Sequence, residues 1–210
     1  MKHVLIADDH ELVRRGLKEI LEDEFPEVKF GEAGDARSTV EAAQKNQWDL
    51  ILLDINLPGR SGLDVLEELK GYCPSTPILV VSGFPEEDYA VRAFKLGASG
   101  YLSKQSASDE LLAAIRKVLG GGRYVTPALA ERLAAALIGG APCAPHETLS
   151  NRELQVLRKI ASGRTVKEIA AELNLSEKTI GTYRTRISDK LLLSTNVELT
   201  RYALQHKLVD

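Results

Sequence analysis

The chain has 210 residues, 44% of them hydrophobic and 27% charged, a globular composition long enough for one large or two small domains. Its net charge of −3 is unevenly divided: residues 1–120 carry 14 Lys+Arg against 21 Asp+Glu, and residues 149–210 carry 11 against 7. Two cysteines, Cys73 and Cys143, argue against a disulfide framework or a thiolate metal site, and no apolar run approaches the ~20 residues of a membrane span. An acidic half followed by a basic module points to two domains with different partners, the basic one suited to nucleic acid. The N-terminus enters a strand pattern directly, without the layout of a signal peptide, so a cytoplasmic location is expected.

In chain order, His3-Val4-Leu5-Ile6-Ala7 reads as a short buried strand ended by Asp8-Asp9. Leu12, Leu17, Ile20 and Leu21 then recur at near-helical spacing. Val28-Lys29-Phe30 is a second strand, with Gly31 and Gly34 marking its turn, and Ala36 to Gln44 is helical. The third strand, Leu50-Ile51-Leu52-Leu53, is a continuous apolar run ending in Asp54, followed at once by the turn signal Pro58-Gly59. Gly62 to Leu69 forms a helix, Pro77 to Ser82 a fourth strand, Glu86 to Leu96 a helix, Gly100 to Lys104 a fifth strand and Asp109 to Leu119 a helix. Five βα repeats predict a doubly wound parallel sheet with helices on both faces over residues 1–120.

Gly120-Gly121-Gly122 breaks this pattern, and residues 121–148 read as a linker that contains one helix, Ala128 to Ile138, capped by Thr126 with Pro127 in its first position. Residues 149–210 read as a separate all-α module of four helices. Ser150 and Glu153 form a capping box for the first helix, and Asn174-Leu175 is a tight turn between two short helices. The second of these, Glu177 to Leu191, is polar and basic on one side, which is the layout of a helix-turn-helix.

The strand ends carry the chemistry. In open parallel sheets, sites lie beyond the carboxyl ends of the strands. Asp8, Asp9, Asp54, Ser82 and Lys104 all fall there. Three converging carboxylates repel unless a hard divalent cation sits among them, and Mg²⁺ favours oxygen ligands while retaining waters and phosphate oxygens. With a metal present, Lys104 and the Ser82 hydroxyl can hold phosphoryl oxygens, which is most of what phosphoryl transfer requires. Asp54 is then either a ligand or a carboxylate nucleophile.

The acidic pair after strand one, Asp54-Ile55-Asn56-Leu57-Pro58-Gly59 with Gly62, Ser82, and Tyr101 three residues before Lys104 together resemble the receiver domain of bacterial two-component response regulators. The resemblance covers residues 2 to about 120. It implies that Asp54 accepts a phosphoryl group from a sensor histidine kinase. It further implies that Asp9, Asp54 and the backbone carbonyl of Asn56 bind Mg²⁺ with Asp8 helping through water, and that Ser82 and Tyr101 form a switch pair. Gln105 stands where many receivers have a proline, often after a cis bond; for a non-proline residue that bond costs about 3 kcal/mol, so the resemblance leaves the geometry of the Lys104-Gln105 bond open.

In the basic module, Ile180, Ile187 and Leu191 share an inward face of their helix. Thr179, Tyr183, Arg186 and Lys190 lie on another, flanked by Lys178, Thr182 and Arg184. Arg can read guanine edges while Lys, Thr and Tyr mostly hold phosphates. Leu149-Ser150-Asn151-Arg152-Glu153, Glu168 to Leu173 and Ser176 to Ile180, with Thr182-Tyr183-Arg184, resemble the LuxR-type helix-turn-helix over residues 149 to about 208. A receiver joined to this module resembles the NarL/FixJ class of response regulators. That class implies a phosphorylation-dependent homodimer on double-stranded DNA with a two-fold operator. Gly181 departs from the pattern by removing a side chain from the DNA-facing side, at about 1 kcal/mol of helix propensity.

Two other readings fit less well. An aspartyl-nucleophile phosphatase needs a second acid two residues after the nucleophile, where this chain has Asn56. A flavodoxin-like cofactor module needs a Gly/Ser/Thr-rich loop after strand one, where this chain has Asp8-Asp9-His10-Glu11. His10 is expected to be a surface residue at the start of a helix.

Overall fold

A computed structural model describes residues 2–138, 145–206, 208 and 209. The expected linker stretch 139–144, with Cys143, lies outside the described residues. The chain divides into two compact units, Met1–Gly139 and Gly140–Asp210.

The first unit runs β1 (Lys2–Ala7), α1 (Glu11–Glu24), β2 (Val28–Ala33), α2 (Ala36–Lys45), β3 (Leu50–Leu53), α3 (Gly62–Tyr72), β4 (Ile78–Ser82), α4 (Glu86–Lys95), β5 (Gly100–Ser103), α5 (Ser108–Leu119) and α6 (Pro127–Ile138). The strands form one parallel sheet in the order β2-β1-β3-β4-β5, the doubly wound topology that the βα repeats imply. Strand side chains alternate between faces. Val4, Ile6, Leu50, Leu52, Leu79, Val81 and Leu102 pack with Leu17 and Leu21 of α1 and Leu111, Ile115 and Val118 of α5. Their alternates Leu5, Ile51, Leu53, Ile78 and Val80 are buried on the opposite face. Burying each such side chain contributes roughly 1.5–3 kcal/mol, so both faces resist any slip in strand register.

Two elements differ from the sequence reading. Strand β2 does not turn at Gly31 but continues to Ala33, paired with β1 along its whole length. Gly31 is there because the Trp48 ring lies on it: a Cβ would fall 2.2 Å from Trp48 Cη2. The helix assigned to a linker, α6, packs against α4 in the first unit. Leu129 is 1% exposed, and the Thr126 hydroxyl donates to Glu86 Oε1 at 2.8 Å while accepting from the Leu129 amide. The described residues contain no cis peptide bond, so Lys104-Gln105 is trans.

The second unit holds α7 (Asn151–Ala161), α8 (Val166–Glu172), α9 (Glu177–Leu191) and α10 (Asn196–Gln205). A short 3₁₀ turn, Pro145–Thr148, precedes them, where the sequence reads as linker. Leu154, Leu157, Ile160, Ile169, Leu173, Ile180, Ile187, Leu191 and Leu199 are buried and supply its core. The Ser150–Glu153 capping box forms as expected, and matching boxes at Thr165–Glu168 and Thr195–Glu198 start α8 and α10. The α8–α9 turn is closed by Leu175 N donating to Ala170 O at 2.9 Å, with Asn174 at φ 51°, a left-handed conformation that Asn tolerates.

Candidate functional site

Strand register builds the site. Ala7 and Leu53 are partners across β1 and β3, and the Asp54 amide donates to Ala7 O at 2.8 Å. Asp8 and Asp54 therefore leave the sheet side by side, where β1 separates β2 from β3 and the strand order reverses. Both are 2% exposed. The loop after Asp54 is held from below: a Cβ on Gly62 would lie 2.1 Å from Asp54 O, and the Gly62 amide donates to Ile55 O at 2.8 Å. Buried Ser61 caps α3 by accepting from the Leu63 amide. Glycine at position 62 is thus required for α3 to start directly against the Asp54 backbone.

Lys104 enters from β5, its amide donating to Ser82 O at 2.8 Å. Its Nζ lies 2.6 Å from Asp8 Oδ2 and 2.7 Å from Asp54 Oδ2. The Asn56 amide donates to Asp54 Oδ1 at 3.1 Å. Burial pushes the Asp54 carboxyl above the usual carboxylate range, a rise that the Lys104 ammonium reduces without cancelling. For Lys104 burial acts downward, but the two carboxylates outweigh it and hold the ammonium above its ordinary value.

Asp8, Asp9, His10 and Asp54 bring one ligand atom each within 4.8 Å of one another. Asp8 and Asp54 share the Lys104 ammonium and Asp9 lies beside them, so three carboxylates gather around one ammonium and leave excess negative charge. A carboxylate-rich donor set with that charge fits a hard divalent cation. His10, expected on the surface, has a 59% exposed side chain, yet its Nδ1 lies 2.7 Å from Asp9 Oδ1 and 3.2 Å from Asp8 Oδ1. Its position directly after the acidic pair is the sequence signal for that contact.

Ser82 is fully buried, and its Oγ accepts from the Phe84 amide at 3.2 Å. Tyr101 is 1% exposed and points inward, donating its hydroxyl to Phe84 O at 2.9 Å. Phe84 and Tyr89 pack with ring centroids 5.0 Å apart.

In the second unit, the outer face of α9 presents Lys178, Thr182 and Arg186 exposed or partly exposed and Tyr183 half-buried. Several residues expected to face DNA have internal contacts as well, among them Thr182, whose hydroxyl donates to Lys178 O at 3.1 Å. The Thr179 hydroxyl lies 2.7 Å from Ser176 Oγ. Arg184 donates to Asn196 Oδ1 at 2.7 Å and to Ser194 O. Lys190 Nζ lies 2.6 Å from Glu153 Oε2, a carboxylate buried at the start of α7. Among the described residues no helix is long and apolar enough to cross a membrane.

The family model of the response regulator receiver domain matches residues 4–116, and that of the luxR family of bacterial regulatory proteins matches residues 147–203. The chain belongs to the two-component response regulators of the NarL/FixJ class. This response regulator is 37% identical to the response regulator UvrY of Escherichia coli K12 over 211 residues, covering 100% of this chain and 97% of the relative. It is 35% identical to the response regulator GacA of Pseudomonas aeruginosa over 211 residues, covering 100% and 99%. Among solved structures it resembles RcsB of Salmonella enterica serovar Typhimurium bound to promoter rprA with the phosphomimetic BeF₃⁻, at TM-score 0.62 and 27% identity, covering 96% of this chain and 98% of that one. The response regulator is a phosphorylation-dependent, DNA-binding regulator of transcription.

Proposed function

We propose that Asp54 is the phosphoacceptor and that its phosphorylation by a sensor histidine kinase switches the regulator toward a dimer on a two-fold operator. The observation that carries this reading is Lys104 Nζ within 2.7 Å of both Asp8 and Asp54 at one sheet edge, with Asp9 beside them. Asp9, Asp54 and the Asn56 carbonyl would hold Mg²⁺ directly, and Asp8 through water. When bound, the ion supplies positive charge for the oxygens of the transferring phosphoryl group.

An Asp54 carboxylate oxygen bonds to phosphorus as the P–N bond of a kinase phosphohistidine breaks, and the electron pair leaves with the imidazole nitrogen. Lys104 leaves its carboxylate bridge for a phosphoryl oxygen, and Ser82 Oγ turns to donate to another. Ser82 releases the Phe84 amide in doing so. Tyr101, already inward on Phe84 O, retains the ring position that such a turn permits. Self-catalysed phosphotransfer from small donors and self-dephosphorylation use the same residues.

On DNA, Arg186, Lys178, Thr182 and Tyr183 make the outer contacts, with Thr179 at the N-terminal end of α9. Arg184 and Lys190 act from the flanks, anchored as they are on Asn196 and Glu153. That RcsB has been solved on promoter DNA with a phosphomimetic supports DNA binding by a regulator of this kind. Such a regulator, fed by a kinase and bound to DNA, works in the cytoplasm.

The test is incubation of the full chain with Mg²⁺ and acetyl phosphate. Wild type gains one phosphate by intact mass, and Asp54→Asn gains none. Equal labelling of the variant overturns the assignment.

A further inference from the structure

At the end of the sheet opposite Asp54, a cavity of about 380 Å³ opens beneath the starts of the strands. That volume is in the range of small-molecule sites. Lys2 at the start of β1, Lys70 near the end of α3 and Arg123 after α5 all line it. Asp49 is the acid on its wall, and its Oδ2 already accepts the His3 amide at 2.7 Å. Cys73, beside Lys70, adds no charge at neutral pH because burial pushes its thiol up.

Lys70 is positioned. Lys70 Nζ donates to Thr76 O at 2.7 Å and to Pro74 O at 3.3 Å, which fixes the ammonium and leaves one N–H uncommitted by these bonds. Burial, and more weakly the charge of Arg123, pull Lys70 below its ordinary value, so the two cations feel each other. Gly97, at φ 99°, closes over the Lys70 stem: a Cβ there would sit 3.2 Å from Lys70 Cγ. Gly121, at φ 82°, and Gly122 form the wall next to Arg123. The Gly120-Gly121-Gly122 run, otherwise only a break after α5, thereby brings Arg123 back under the sheet.

We propose that this cavity is a second ligand site, for a phosphate dianion such as that of a small phosphate monoester, held by Lys2, Lys70 and Arg123. Three cations against one acid leave two positive charges to be compensated, and a phosphate monoester carries about −1.5 to −2 at pH 7. The Arg123 fork suits paired phosphate oxygens, and the Ser75 and Ser99 hydroxyls on the wall can donate to others. Gathering like charges in a concave site costs stability, and a dianion offsets that cost.

The experiment titrates AMP, adenosine and inorganic phosphate separately into the full chain without divalent cations, so that the carboxylates of Asp8, Asp9 and Asp54 repel phosphate. Amide N–H resonances report the binding position. AMP is expected to give saturable shifts at Gly97, Ser99, Gly121 and Gly122, adenosine none, and phosphate the same amides at higher concentration. The double variant Arg123→Gln/Lys2→Gln is expected to weaken AMP at least about tenfold, as for the loss of charge-assisted contacts, and Arg123→Lys to weaken it less. Equal shifts with adenosine, shifts confined to the neighbourhood of Lys104, no saturation, or undiminished binding by the double variant would each overturn the site. The comparison of AMP with adenosine on wild type stands even where a variant folds poorly.

Discussion

At Gly62 a single methyl group separates a held Asp54 backbone from a displaced one. Its Cβ would meet backbone atoms, Asp54 O at 2.1 Å and Ile55 Cα at 2.6 Å, and backbone cannot rotate aside. Gly62→Ala is therefore expected to destabilise the first unit by about 3 kcal/mol, the scale of severe overpacking, and to slow phosphorylation by acetyl phosphate. Urea unfolding measures the first effect; a variant within about 0.5 kcal/mol of wild type, the range of an ordinary surface change, would contradict the tight approach. Lys104 raises the complementary question of charge. Lys104→Met leaves Asp8 and Asp54 buried without their shared ammonium, a loss of about 3 kcal/mol in metal-free protein. Mg²⁺ is expected to restore much of that stability, since it can take the place of the missing charge. The same loss with and without Mg²⁺ would show that the carboxylates do not form the cation site.

On the scale of elements, α7 and α9 are joined by Glu153 and Lys190. Burial acts to raise the Glu153 carboxyl, but Lys190 and the two Ser150 hydrogen bonds outweigh it and hold it below its ordinary value of 4.5. A depressed folded value means that the contribution to stability is complete above pH 4.5 and is lost as pH falls through the lower, folded value. The melting temperature of the second unit is expected to drop across that acidic window in wild type and to drop less in Glu153→Gln, as followed by thermal melts from neutral pH down into the acidic range. Helix α9 itself carries a removable cost. A methyl group added at Gly181 would meet nothing within 4 Å, so Gly181→Ala should stabilise by about 0.8–1 kcal/mol through helix propensity alone. No gain in urea unfolding would mean that the backbone there is not ordinary helix.

For the whole molecule, the receiver state and DNA binding are expected to be linked through dimerisation. Phosphorylated protein should run as a dimer on sizing columns and bind operator DNA more tightly than Asp54→Asn. Contacts to several phosphates by two α9 helices imply an affinity that falls on the order of 10³-fold between about 50 and 200 mM salt. A flat salt response in a DNA-binding titration would argue against α9 as the groove-facing element.

What could be read from the sequence was local or periodic. Asp8, Asp54, Ser82 and Lys104 each lie at the end of a short buried apolar strand, so their gathering at one sheet edge follows once the βα alternation is recognised. The four helices of the second unit, and its Ser150 cap, follow in the same way from spacing and capping chemistry. What the tertiary structure decided lies between residues far apart in the chain. Lys104 is 50 residues from Asp54 and Lys190 is 37 from Glu153, and only packing shows that these side chains are already committed to carboxylates. Gly31 reads as a turn in the sequence, yet it is a strand residue with Trp48 lying on it; α6 reads as part of a linker, yet Leu129 is buried within the first unit. Periodicity reports which face of an element is apolar; it does not report which partner covers that face or neutralises a charge, because those depend on three-dimensional distance rather than on chain spacing.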